Sequence, residues 1–174
     1  MDDRKDRFEA VYKQTYEHIL GYAVRRCESP EDAADVVAET FAIAWRRFDA
    51  LPAGGEARLW LYGVARNVLA NHRRGLARHR HAELDHDVAD LYAHSPESSV
   101  ELSAIARAFH ELPESDRELI SLLAWEGLDP GEIAKVLGCS RNAVRIRVHR
   151  ARKRLSKALA GAGVSMSRLV MESA

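Results

Sequence analysis

The side chains best suited to bind another molecule lie in one basic stretch near the end of the chain, between Ser140 and Lys157. This stretch contains eight Lys or Arg residues and no Asp or Glu. Their cationic groups bind phosphate oxygens, and Arg can also donate two hydrogen bonds to the major-groove edge of a guanine. The stretch therefore favours nucleic-acid binding. The alternative is a solvated basic helix that has no ligand.

Placed at 100° per residue, the basic stretch forms a helix with two opposite faces. The predicted buried stripe is apolar and comprises Val144, Val148, Ala151 and Leu155. The predicted groove face lies opposite and comprises Asn142, Ile146, His149, Arg150 and Lys153. Further arginines flank the groove face, where they could hold phosphates: Arg141, Arg145 and Arg152 on one side, Arg147 and Arg154 on the other.

A short helix and a turn come before the basic helix and complete a helix-turn-helix. Asp129 is a suitable N-cap, Pro130 suits the first helical position, and Glu132 completes a capping box. Gly138 predicts the end of this helix. Ser140 is the predicted N-cap of the basic helix and a candidate DNA contact. A helix-turn-helix with a basic second helix is typical of DNA-binding proteins.

A second basic segment, residues 58–81, contains six Arg and no acid. A helix starting near Ala57 would bury one stripe, comprising Leu61, Val64, Ala65, Val68 and Leu69. Its predicted outer face combines aromatic, amide and basic side chains: Arg58, Trp60, Tyr62, Arg66, Asn67, Asn71, His72, Arg73 and Arg74. Rings stack on unpaired bases, amides bond base edges and cations follow the backbone, so this face favours melted DNA. The alternative is that Trp60 and Tyr62 belong to the core.

Two further helices are predicted ahead of this segment. The first runs from Phe8 to about Cys27, and Ser29 and Pro30 start the second. The second would bury Ala33, Val36, Val37, Thr40, Phe41, Ala44, Trp45 and Phe48. Its opposite face carries Asp32, Asp35, Glu39 and Ile43. Docking to a partner and simple solvation both fit that acidic face. A turn at residues 51–56 follows.

The middle of the chain is acidic, with six Asp or Glu and no Lys or Arg in residues 82–101. Residues 82–99 predict a mostly unstructured linker. Nearby histidines (His79, His81 and His86) match no metal-site spacing. A helix is then expected to carry Leu102, Ile105, Ala106, Phe109 and Leu112. Ser115 and Glu118 offer a capping box for the next helix, and residues 160–174 form a short tail.

These patterns predict an all-α fold of two small helical domains, residues 1–81 and 100–159. The 174 residues include 26 basic and 26 acidic ones, so the net charge says nothing about partners, whereas the charge distribution does. Cys27 and Cys139 have no redox or metal spacing, and we expect no metal or other cofactor. With no signal peptide and no membrane-spanning apolar run, the expected compartment is the cytoplasm.

Three motifs together resemble bacterial RNA polymerase sigma factors of the extracytoplasmic-function type, which have only the second and fourth conserved sigma regions. The motifs are DAADVVAETFAIAWRRFD, WLYGVARN and EGLDPGEIAKVLGCSRNAVRIRVHRARKRL, in the family's order and spacing. The resemblance spans roughly residues 8–81 and 100–158. It implies a promoter-specificity subunit without catalytic activity.

The resemblance also implies a partner for each region. The acidic face with Asp35 and Glu39 would dock on the clamp helices of the polymerase β′ subunit, and the fourth region would touch the β flap. Asn67 and Asn71 would lie near the non-template strand of the minus-ten element, and the turn at residues 51–57 would hold a flipped base. The helix-turn-helix would read the minus-thirty-five element, while the linker would thread toward the RNA exit path. Relatives are often held by an anti-sigma factor.

The chain departs from the family pattern at two positions. Many relatives have an aromatic residue where this chain has Ala57, which predicts a differently built base-capturing turn. Many have a small polar residue in place of Ile146, whose apolar side chain can contact a thymine methyl but cannot hydrogen-bond. Two rival functions remain: a stand-alone helix-turn-helix regulator that binds palindromic operators, and a sigma mimic that sequesters an anti-sigma factor.

Overall fold

The computed structural model describes residues 2–80 and 100–163, with side chains for residues 3–77 and 103–163. In those ranges the fold is all-α, as predicted, and contains no strand. The helices are α1 (Asp2–Val24), α2 (Pro30–Arg46), α3 (Glu56–Arg80), α4 (Val100–His110), α5 (Glu114–Ala124), α6 (Pro130–Leu137) and α7 (Arg141–Gly161), with a 3₁₀ turn at Phe48–Ala50. They form two compact helical units: the first contains α1–α3, and the second contains α4, α5, the first part of α6, and α7.

The first unit packs each of its three helices against the other two. Ser29 caps α2, as predicted, since its Oγ accepts a hydrogen bond from the Asp32 N–H at 3.1 Å. The predicted stripe of α2 is buried at Ala33, Val36, Val37, Thr40, Phe41 and Ala44. Buried Thr40 is satisfied locally, because its hydroxyl donates to the Val36 carbonyl at 2.7 Å. The capping and packing signals of α2 were therefore readable from sequence.

Trp45 departs from the predicted stripe of α2, because it is 43% exposed. It lies in the last turn of α2, whereas Phe48, also in the predicted stripe, is buried in the 3₁₀ turn that follows. One side of the indole contacts Phe8, at a ring-centroid distance of 5.1 Å, and the Arg4 guanidinium lies 4.9 Å from the ring centroid. Trp45 is thus a partly covered surface residue.

In the second unit, α4 and α5 both pack against α7. Ala104 and Ala108 of α4 meet Leu159 of α7 in one buried cluster, and Leu155 packs against it. Ala106, one of the apolar residues of this predicted helix, is exposed. It points away because α4 presents the neighbouring positions 104 and 108 to α7.

The predicted capping box of Ser115 and Glu118 is wrong. Helix α5 begins two residues earlier than this box requires, at Glu114, and its N-cap is Pro113, which supplies no side-chain hydrogen bond. The Pro113 carbonyl instead accepts from the Asp116 and Arg117 N–H groups at 2.9 and 3.0 Å. Ser115 is consequently already inside the first turn, where it cannot act as the cap.

The predicted linker, residues 82–99, lies outside the described residues. Helix α7 continues two residues past the expected domain end at Leu159, to Gly161. Leu159 is only 1% exposed, so this last turn still contributes to the core. The rest of the predicted tail, from residue 164 onward, also lies outside the described residues.

Candidate nucleic-acid interface

The start of the helix-turn-helix has the predicted capping box. The Asp129 carboxylate accepts from the Gly131 and Glu132 N–H groups at 2.5 and 3.0 Å. In return, the Glu132 carboxylate accepts from the Asp129 N–H at 2.9 Å. Two acidic side chains at the positive end of the helix dipole also add favourable electrostatics. The first turn of α6 is therefore held by side chains on both sides of Pro130.

The turn between α6 and α7 depends on Gly138, whose φ of +65° is left-handed. A side chain with a Cβ rarely adopts this conformation, so glycine is the residue that lets α6 stop here. Ser140 then caps α7, because its Oγ accepts from the Ala143 N–H at 3.1 Å. Its hydroxyl proton is the part of Ser140 that could still reach DNA.

The two predicted faces of α7 are confirmed in their burial. Val144, Val148 and Ala151 are at most 6% exposed, and Leu155 is half-buried. The predicted groove-face side chains are all exposed: Asn142, Ile146, His149, Arg150 and Lys153. The first four of them, together with Arg145 of the flank, line a shallow open concavity of about 400 Å³. The flanking Arg141, Arg145, Arg147 and Arg152 are exposed as well.

Arg154 has a different environment from the other arginines of α7. Its Nη1 lies 2.6 Å from Oδ2 of Asp116, in the first turn of α5. The Asp116 side chain is only 7% exposed, whereas that of Arg154 is 55% exposed. The helical pattern predicted Arg154 on the phosphate-binding flank and gave no signal for its partner Asp116. The structure makes this guanidinium the counter-ion of a buried carboxylate.

Helix α3 exposes most of its predicted outer face. Arg66, Asn67, Asn71, Arg73 and Arg74 are exposed, while Arg58, Trp60 and His72 are half-buried. The Arg74 guanidinium donates a hydrogen bond to the Asn71 side-chain oxygen. Arg73 donates to the Arg26 carbonyl at the end of α1, at 3.3 Å. The amide and basic side chains of α3 therefore share one accessible surface.

Tyr62 does not belong to that surface: its predicted outward position is wrong, and the alternative that it belongs to the core is confirmed. It is fully buried, and its ring centroid lies 5.3 Å from that of Tyr22 in α1. Helix α3 contacts both α1 and α2, so its buried face is wider than a single stripe. Leu59, which we had not assigned to the core, is buried for the same reason. The spacing of Tyr62 and Leu69, seven residues apart, was the available signal.

The turn that precedes α3, at residues 51–56, is flanked by a small buried apolar cluster of Phe48, Leu51 and Ala57. Trp60, one helical turn after Ala57, packs against this cluster together with Phe8 and Val11. Gly54, in the middle of the turn, has a φ of +63° and therefore suits a residue without a Cβ. A half-buried indole consequently lies beside the turn at residues 51–56.

The acidic face of α2 is only partly open. Asp35 and Glu39 are exposed, and Glu39 pairs with Arg46 at 2.8 Å. Ile43 is half-buried. Asp32 is also half-buried, and it lies within ion-pair distance of His72 on α3. Burial raises the pKa of the neighbouring Cys27 thiol from 9.0 to about 11, and the Asp32 charge adds to the rise.

Among the described residues, no helix combines the length and the apolar composition that a transmembrane span requires. The same residues contain no group of His, Cys, Asp or Glu arranged to hold a metal ion. The side chains of His79, His81 and His86, the three histidines near the predicted linker, lie outside the described residues.

Comparisons with known proteins agree with this arrangement. The family described as Sigma-70 region 2 matches residues 11–79, and Sigma-70, region 4 matches residues 102–155. The chain is 33% identical over 162 residues to RNA polymerase sigma-H factor of Pseudomonas aeruginosa, covering 83% of this chain and 82% of that protein. It is 30% identical over 161 residues to ECF RNA polymerase sigma factor SigL of Mycobacterium tuberculosis, covering 90% of each.

A solved structure is similar as well. It contains the sigma factor RpoE in complex with the anti-sigma factor NepR, from Bartonella quintana. The similarity has a TM-score of 0.67 and 25% identity, and covers 88% of this chain and 96% of the other.

Proposed function

Because this chain belongs to the extracytoplasmic-function group of RNA polymerase sigma factors, we propose that its two helical units grip promoter DNA at two separate elements. As a sigma factor, it binds core RNA polymerase and directs promoter-specific transcription initiation. The observation that carries the proposal is the exposed, acid-free groove face of α7, set on a helix-turn-helix whose caps are all formed.

The second unit is proposed to read the upstream promoter element, near position minus thirty-five. Its groove face offers an amide, an imidazole and a guanidinium for base edges, at Asn142, His149 and Arg150. The flanking arginines are proposed to hold phosphates and fix the helix in the groove: Arg141, Arg145, Arg147 and Arg152. Lys153, on the groove face, is a further candidate DNA contact. Arg154 is left out of this set because its ion pair with Asp116 gives it a role in the fold.

The first unit is proposed to melt and hold the downstream element, near position minus ten. Exposed amides at Asn67 and Asn71 would bond the edges of unstacked bases, and Arg66, Arg73 and Arg74 would follow the backbone. The half-buried Trp60 would supply the aromatic surface beside the base-holding turn. Tyr62 has no part in this proposal, since it is fully buried.

The polymerase contact is proposed to centre on Asp35, Glu39 and Ile43 of α2, which would dock on the β′ clamp helices. The fourth region would contact the β flap, and the acidic linker at residues 82–99 would follow the RNA exit path between domains 1–81 and 100–159. The protein would act without catalysis, because capture of unstacked bases supplies the free energy for opening DNA. The protein would act in the cytoplasm, together with polymerase.

An anti-sigma factor is a further proposed partner. The solved structure that resembles this chain holds a sigma factor together with such a protein. An anti-sigma factor that covers the exposed face of α2 would prevent binding to polymerase without altering the DNA-reading helix. Identification of the protein that co-purifies with this chain from its native cell tests this proposal.

Run-off transcription tests the central proposal. Core polymerase is supplied with or without this protein on a pool of promoter-containing DNA, and discrete transcripts are expected only when the protein is present. The free protein is assayed for DNA binding in parallel. Tight binding of palindromic DNA without polymerase would instead identify a stand-alone regulator. Capture of an anti-sigma factor with no transcription and no DNA binding would identify a mimic.

A further inference from the structure

Ile146 is the large apolar side chain on the groove face of α7, and it is 45% exposed. Its apolar neighbours on the helix, Val144 and Val148, are 0% and 6% exposed and face the core. The side chains that share its concavity are all polar or charged: Asn142, Arg145, His149 and Arg150. Ile146 therefore lies among polar side chains on the exposed face of α7, with nearly half of its surface open to solvent.

The chemistry of the major groove restricts what such a side chain can favour. Guanine presents two acceptors there, cytosine an amino donor, and adenine one of each, whereas thymine adds a methyl group to its single acceptor. An isoleucine that covers a donor or acceptor of a base displaces the water bound there. Because it offers no hydrogen bond in exchange, this contact is unfavourable. An isoleucine against the thymine methyl buries apolar surface on both sides.

We infer that Ile146 selects a thymine by contact with its 5-methyl group, and that this thymine lies at the centre of the upstream element. The inference rests on the proposed function, since it requires α7 to enter the major groove. A polar residue at this position could recognise a base by hydrogen bonding. Ile146 would recognise it by shape and apolar contact.

The neighbours of Ile146 set the expected context of that thymine. Asn142 and Arg150 lie one turn before and one turn after it, so each is displaced by ~6 Å along the helix axis. Successive base pairs are ~3.4 Å apart, which places the partners of these two residues within about two base pairs of the thymine. Asn prefers adenine and Arg prefers guanine. The expected element therefore has the thymine between an adenine contact and a guanine contact.

The test uses holoenzyme assembled from core polymerase and this protein. Promoters with a randomised upstream element are first selected by holoenzyme binding, and the best is then rebuilt with each thymine replaced singly by deoxyuridine. This replacement removes the methyl group and keeps the base pairing. At one thymine we expect affinity to fall about fourfold, which corresponds to ~0.8 kcal/mol for one buried methyl at 1.36 kcal/mol per tenfold.

The Ile146→Ala variant provides the decisive comparison. Because Ile146 is exposed, the variant should keep the melting temperature of the parent protein, and it should bind the thymine and deoxyuridine promoters equally well. Val24→Ala is the matched control. It truncates another exposed branched apolar residue, 52% exposed on α1, and should retain the full deoxyuridine effect.

Three outcomes decide the inference. A deoxyuridine effect that is lost in Ile146→Ala supports it. A deoxyuridine effect of equal size in the parent protein and in Ile146→Ala overturns it, and so does the absence of an effect at every thymine. Both results leave the proposed function intact. If wild-type holoenzyme selects no upstream element from the randomised pool, the proposed function itself fails, and the inference fails with it.

Discussion

Nε2 of His72 lies 3.3 Å from Oδ1 of Asp32, and this pair ties the second half of α3 to the first turn of α2. The two side chains are 24% and 26% exposed. The other Asp32 oxygen, Oδ2, accepts a hydrogen bond from the Ser29 hydroxyl at 2.8 Å. The acidic face expected to meet polymerase and the basic face expected to meet DNA are thus joined by one side-chain pair.

A double-mutant cycle should measure this connection. We expect His72→Ala and Asp32→Ala to lower the free energy of unfolding by less in combination than the sum of their separate effects. The coupling should be on the order of 0.5–1 kcal/mol, since the pair is still partly exposed to solvent. Urea titration monitored by circular dichroism gives the four free energies. Additive effects of the two substitutions would show that the contact adds nothing to stability.

Arg154→Ala should destabilise the second unit more than any other arginine substitution in α7. It removes the counter-ion of the buried Asp116 carboxylate, which we expect to cost about 1–3 kcal/mol of unfolding free energy. Arg152→Ala is the matched control, because that side chain is exposed on the same helix. Thermal unfolding of both variants makes the comparison. Equal melting temperatures would contradict the structural role of Arg154.

Arg150→Ala should weaken promoter binding by holoenzyme without changing protein stability. If Arg150 bonds a guanine, we expect a loss of about 1–3 kcal/mol and relaxed specificity at one base pair. If it holds a phosphate, the loss should be uniform across sequences and the salt dependence should fall by about one unit of slope. Binding titrations on matched promoters at several salt concentrations separate the two. Unchanged binding at every salt concentration would exclude Arg150 from the groove.

Cys27 should make the folded protein less stable as pH rises above 9. Its thiol pKa is raised to about 11 in the folded chain, against 9.0 for an ordinary thiol, chiefly by burial. Between these values the unfolded chain gives up the proton while the folded chain keeps it, so stability falls with increasing pH. Urea titrations at pH 8, 9 and 10 should show a steeper decline for the parent than for Cys27→Ala. Parallel declines would contradict the raised pKa.

The helix-turn-helix was predictable in detail because its signals are local. Asp129, Glu132, Gly138 and Ser140 each act within three or four residues of their own position, through caps and one left-handed glycine. The two faces of α7 followed from helical period alone. The failed capping box at Ser115 shows the limit of that reasoning, since a proline carbonyl one residue before the helix took the capping position.

Contacts between distant parts of the chain were not readable from the sequence. Asp116 and Arg154 are 38 residues apart, and either residue alone resembles a solvated surface charge. The burial of Tyr62 depends on α3 having two neighbours instead of one, which a single amphipathic stripe does not express. The exposed Trp45 likewise depends on the 3₁₀ turn that directs Phe48 inward.

The separation of the two faces of α7 also bears on how new specificities could be made. The side chains proposed to choose the DNA sequence project into solvent, while the contacts of α7 with α4 and α5 include Leu155, Leu159 and Arg154. Asn142, Ile146, His149 and Arg150 could therefore be varied together in a combinatorial library with little risk of unfolding. This helix is accordingly a suitable starting scaffold for engineered promoter switches that operate in parallel inside one cell.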